Sequence, residues 1–157
     1  MNKKKIVIFV VVLLLVLIYL WHFTVAQWLN DANLADISKK FDAVEIPPST
    51  SIIKKTVVVA NTSGTGNHCE FYLSFLGITR LTDQGLQEYV AQQQKNTDIS
   101  LSTKTFATFP GWDIEVFETI ADVEKSNTTI PSLAKGERYV VVYEVDESAN
   151  DSDFRCH

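Results

Sequence analysis

The chain opens with one long apolar block and then changes rhythm. Ile6 to Trp21 is an unbroken run of 16 apolar or aromatic residues, with Phe23, Val25, Ala26 and Trp28 just beyond it. A helix needs about 20 mostly apolar residues to cross the hydrocarbon core of a bilayer. Continuing through the uncharged His22, Thr24 and Gln27 to Leu29 supplies that length, so residues 6–29 read as a transmembrane helix. Residues 30–41 extend it as a polar helix in which Leu34, Ile37 and Phe41 form one apolar stripe. Pro47-Pro48 stops any helix, and Ser49-Thr50-Ser51 completes a connector.

Five strand-like stretches and one helical one follow. Ile52 to Ala60 is rich in β-branched residues and predicts a strand, and Asn61 to His68 predicts a loop. Cys69, Phe71, Leu73 and Phe75 alternate with Glu70, Tyr72 and Ser74, the period of a half-buried strand. Thr82 to about Gln94 carries Leu86, Tyr89, Val90 and Gln93 at helical spacing. Thr82 is placed to cap that helix, Asp83 suits its positive end, and Leu81 with Leu86 fits a hydrophobic staple. Ile99 to Phe106 predicts a weaker strand, Pro110-Gly111 a turn and Trp112 to Ile120 another strand. Tyr139 to Val145 is apolar on both faces, as a central strand is. The order β-β-α-β-β-β predicts an α+β domain: a small, mainly antiparallel sheet with one helix packed on it. The expected organisation is a basic tail at 1–5, a signal anchor at 6–29, a juxtamembrane helix and linker at 30–50, and the domain at 51–157. The folded part is expected to start near Phe41 and to run to the C-terminus.

Charge sets the expected direction of insertion. Lys3, Lys4 and Lys5 precede the apolar block, and the next basic residue is Lys39. Cationic flanks stay on the cytoplasmic side, so a single pass with the N-terminus inside and the domain outside is expected. A signal peptide cut after Ala26 would instead release the domain as a secreted protein. Apolar residues continuing past that cut favour the uncleaved anchor. The chain has 14 Lys and Arg against 19 Asp and Glu, a net of −5. Most of the excess lies in residues 113–157, which hold 4 basic and 11 acidic residues. That balance argues against a nucleic-acid partner, whose phosphates need clustered cations. The expected partners are the membrane and an envelope or membrane protein.

Few residues suggest chemistry. Gly64-Thr65-Gly66-Asn67 precedes His68 and Cys69, but a phosphate-binding loop needs a third glycine and a following helix. A hairpin loop using glycine for positive φ is the simpler reading. Cys69 and Cys156 are the two cysteines, and outside the cytoplasm such a pair is expected to form a disulfide. His68-Cys69 with Cys156-His157 offers metal-ligand types, yet adjacent ligands converge poorly on a tetrahedral ion. Asp146 to Asp153 lacks the glycine and closing glutamate of a calcium loop. Glu115, Glu118, Asp122 and Glu124 are candidate paired carboxylates, more simply read as an exposed strand and turn. Asn61, Asn127 and Asn150 head glycosylation sequons, which matter only where exported chains are so modified. No catalytic, metal or cofactor site is assigned. The expected function is a non-catalytic binding, tethering or envelope-assembly role. The alternative is a membrane-anchored enzyme using His68 with acidic residues of the stretch from Trp112.

Overall fold

A computed structural model describes residues 3–62, 68–97, 99–109, 113 and 116–156. In chain order the elements are α1 (Lys3–Asp42), β1 (Thr50–Ala60), β2 (Glu70–Thr79), α2 (Asp83–Thr97), β3 (Ser102–Phe106), α3 (Phe117–Lys125) and β4 (Arg138–Asp146). A short 3-10 turn, Phe154–Cys156, ends the described chain. The class is α+β: a long apolar N-terminal helix and a four-stranded antiparallel sheet in the order β1-β2-β4-β3.

Helices cover both faces of the sheet. On one face Phe71, Leu73 and Phe75 of β2 and Val140 and Val142 of β4 meet Phe41 and Val44 near the end of α1. Leu86 and Tyr89 of α2 close the same cluster. On the other face Leu76, Ile78, Tyr139 and Val141 pack against Val116, Ile120 and Val123 of the α3 region. This double cover corrects the half-buried reading of β2: all ten of its residues are buried. Its apolar/polar alternation survives because Tyr72 and Ser74 meet hydroxyl partners inside. Thr119 Oγ1 of α3 lies 2.8 Å from the Tyr72 hydroxyl and 2.6 Å from Ser74 Oγ. Burial, only partly countered by these hydrogen bonds, pushes the Tyr72 hydroxyl up to about 12.

The expected element order also needs correction. Part of the predicted strand Trp112–Ile120, and of the turn at Pro110-Gly111, lies outside the described residues. From Phe117 the chain is helical, not extended. Val116, Ile120 and Val123 fall at i, i+4 and i+7, one helical face, and tertiary packing rewards that face. The single packed helix is therefore joined by α3 and by the C-terminal part of α1. β3 starts at Ser102 because Ile99 and Leu101 serve the core before the ladder begins.

α2 follows its predicted start. Thr82 Oγ1 accepts the Gly85 N–H at 3.1 Å, and Asp83 stands in the first turn. Its end is later than expected, at Thr97, whose hydroxyl donates to the Gln93 carbonyl at 2.8 Å. In β1 the register shifts between Ile52 and Lys54. At that irregularity a side chain on Gly77 would come within 2.8 Å of the Ser51 carbonyl, so the close strand approach requires glycine.

α1 is long and apolar enough in its first half to cross a membrane. Ile6 to Trp21 touch nothing that buries them, whereas Ala26, Asn30 and Phe41 are buried against the sheet domain. The helix runs without a break from one regime to the other.

Candidate functional site

Three places bring polar or apolar groups together, and they lie at the two ends of the sheet and on α3. The first is the end where α1 stops. The Val44 N–H donates to the Phe41 carbonyl at 3.1 Å, closing the helix. The next residues are held to α2: the Glu45 N–H donates to Gln93 Oε1 at 3.2 Å, and the Tyr89 hydroxyl donates to the Glu45 carbonyl at 2.7 Å. Burial, aided by the Glu45 charge, drives the Tyr89 hydroxyl well above its ordinary pKa, so it remains a donor. This staple presents Ile46, 55% exposed, between two recesses. One of about 290 Å³ is lined by Phe41, Val44, Ile46, Ile52, Lys55 and Phe75. Lys55 lies over the Phe41 ring, 5.1 Å from its centroid, and pairs with Asp42. The recess adjoins β1, which among the described residues has a strand neighbour on one side only.

The second place is the opposite end, where the C-terminal tail meets α1. The Asn30 side chain is fully buried and bonded three ways. Its Nδ2 donates to the Asn150 carbonyl and to Asp153 Oδ2, each at 3.1 Å, and its Oδ1 accepts the Asn150 N–H at 2.7 Å. Asp153, also fully buried, accepts from the Arg155 guanidinium at 2.5 Å, and Arg155 reaches Asp31 at 2.7 Å. Ser152 Oγ lies 3.0 Å from His22 Nε2, near the end of the apolar run. Cys69 and Cys156 are at disulfide distance, with sulfurs 1.99 Å and Cα atoms 5.5 Å apart.

His68 stands beside this clamp, its Nδ1 3.1 Å from Asp151 Oδ1 and its Nε2 3.8 Å from Glu70 Oε1. The same Asp151 oxygen accepts the Cys69 N–H at 2.8 Å, so this carboxylate orders the loop end. Glu70 is buried and accepts from the Thr62 N–H and hydroxyl. Gly64 to Asn67 and His157 lie outside the described residues. The carboxylates of Asp146 to Asp153 have separate partners: Asp146 accepts the Ser148 N–H, while Asp153 turns to Asn30 and Arg155. Among the described residues no three His, Cys, Asp or Glu side chains stand together as a metal would require.

The third place is α3, which carries Glu118, Asp122 and Glu124; Glu115 lies outside the described residues. Asp122 accepts from Thr56 Oγ1 at 2.9 Å and pairs with Lys54 at 3.3 Å, tying α3 to β1. Burial raises the Glu118 carboxyl. Asp122 and His68 therefore serve different neighbours.

Asn30, Arg155 and Ile46 are absent from the sequence expectations, and Asp153 enters them only as the end of an acidic stretch weighed against a calcium loop. Asn30 had a signal. Stepping back from Phe41, Ile37 and Leu34 by four residues reaches Asn30 and then Ala26, so one polar residue interrupts an apolar stripe. Comparison with known proteins yields no matching family model, no similar curated protein and no similar solved structure.

Proposed function

We propose that this chain is a single-pass membrane protein with its N-terminus in the cytoplasm and its domain outside. In this reading α1 is an uncleaved signal anchor, and the domain has a non-catalytic role in binding an envelope or membrane protein. The bonding-distance cysteines are joined in the exported chain. The observation that carries the binding role is the end of the molecule farthest from the apolar run. There the edge of β1, open among the described residues, adjoins a recess walled by Phe41, Val44, Ile46, Ile52 and Phe75. An open strand edge offers backbone hydrogen bonds, and an adjacent apolar recess takes a side chain of the added segment. His68, by contrast, is engaged by Asp151 and Glu70 beside the tail clamp. That supports a structural use of the histidine over the enzymatic alternative.

A photo-crosslinking amino acid at position 46, in the full chain in its native membrane, tests this. A discrete adduct that disappears with Ile52→Asp is expected. Adducts unchanged by Ile52→Asp, or formed equally at the exposed Lys125 on α3, would contradict a binding edge at β1.

A further inference from the structure

Two exposed indoles mark α1 at the end of the apolar run and just beyond it. Trp21 and Trp28 are 72% and 67% exposed. Seven residues apart at about 100° each, they lie on nearly the same helix face, some 10 Å apart along the axis. Asn30 and Ala26, the buried positions, lie on the opposite face. The domain thus occupies one side of the helix and the two indoles the other.

The tail clamp sets the height of the domain. Ser152 bonds to His22, Arg155 Nη2 lies 3.5 Å from the Gln27 carbonyl, and Arg155 pairs with Asp31. The residue after the last one of the apolar run is therefore already in contact with the domain. Ile6 to His22 is 17 residues, about 25 Å of helix and the short end of the range that crosses the hydrocarbon core, so the rest of the 6–29 stretch, from Phe23 to Leu29, falls at its outer boundary. With the span used up at His22, the domain has no stalk and its clamped end lies level with the lipid headgroups.

We infer that Trp28 is seated in the headgroup layer of the outer leaflet, and that it and the tail clamp together hold the domain flush on the bilayer. This rests on the membrane-spanning reading of α1. Indole rings favour that layer because one edge is apolar and the N–H needs a polar partner. Helical side chains lean toward the N-terminus, so Trp28 leans down toward the membrane. His22 to Trp28 is some 9 Å along the axis, so a ring that leans back toward the N-terminus falls within a headgroup layer of about 5–8 Å, while Trp21 stays below it. Between His22 and Ser38 the helix carries Asp31 and Asp36 but no Lys or Arg, and Arg155 at the same height is paired with Asp31 and Asp153. The lipid it suits is therefore zwitterionic or neutral, not anionic.

The test uses the full chain in phosphatidylcholine vesicles. The difference in emission between the parent and Trp28→Phe isolates Trp28, and Trp21→Phe isolates Trp21; both positions are exposed, so folding is preserved. Phosphatidylcholine bearing a headgroup nitroxide should remove most of the Trp28 signal, while aqueous iodide removes little. A Trp28 signal quenched by iodide and not by the nitroxide would overturn the seat, and so would a signal shielded from both, which means protein contact. Acyl-brominated lipid must quench Trp21. If it does not, the membrane span itself is wrong and the proposed function falls with it.

Discussion

Asp153 sits in the tail clamp with no exposed surface, its carboxylate bonded to Arg155 and Asn30. Burial pushes its pKa up, but the Arg155 and Asn30 hydrogen bonds and the Arg155 charge outweigh that, so it titrates below its ordinary value. A carboxyl whose folded pKa is depressed stabilises the fold above its unfolded pKa, about 4, and that contribution is lost as pH falls through the folded value. Arg155→Ala would leave the carboxylate buried without its cation, at a cost of about 3–5 kcal/mol. Denaturant midpoints of the detergent-solubilised chain measure this, and a loss confined to a few tenths would rule out the clamp. Glu144 has the opposite sign. Burial raises its carboxyl, with Asp146 adding to the shift while the Ser100 N–H and Lys40 oppose it, and its Oε2 lacks a hydrogen-bond partner among the described residues. With a folded pKa above the unfolded one, its stability is full below about pH 4 and falls as pH rises through the folded value. Glu144→Gln should therefore raise the denaturant midpoint at pH 7 and leave it unchanged below pH 4. An equal effect at both pH values would assign the gain to something other than charge.

The elements with strong local signals are where the sequence places them. α2 begins at its capped threonine, and β1, β2 and β4 overlap their β-rich or alternating segments. Thr82→Ala should destabilise the solubilised chain by about 0.5–2 kcal/mol through loss of the Gly85 N–H bond. Leu86→Ala, at a site 1% exposed, should cost about 2–5 kcal/mol. If both midpoints match the parent, α2 does not start at Asp83 or does not pack inward. Where the sequence misleads, the cause lies in tertiary structure. Trp112 to Ile120 reads as a strand by itself, but Val116, Ile120 and Val123 share a helical face that the sheet covers. β2 alternates like a half-exposed strand because the hydroxyls of Tyr72 and Ser74 have a buried partner in Thr119, 45 or more residues away. The Asn30 clamp spans 120 residues, a separation that local patterning cannot express.

At the scale of the whole molecule, α1 joins an exposed apolar segment to a core-facing one without a break, and the tail contacts the helix at that junction. The proposed bond between Cys69 and Cys156 would close a loop of 87 residues. In the chain-entropy model that contributes up to about 4.6 kcal/mol. Exported chain should show no free thiol until reduced, and reduction should lower its denaturant midpoint; two alkylated cysteines in unreduced chain would count against the bond. The α+β class and the long apolar N-terminal helix were legible from run length and from the spacing of apolar residues. The clamp and the β1 recess emerge only when distant segments meet. The most direct test of the account is the side of the membrane on which the domain stands. A reporter enzyme that works only outside the cytoplasm, fused after His157, is predicted to be active. Activity instead from a cytoplasm-only reporter at that position would contradict the exported, tethered domain.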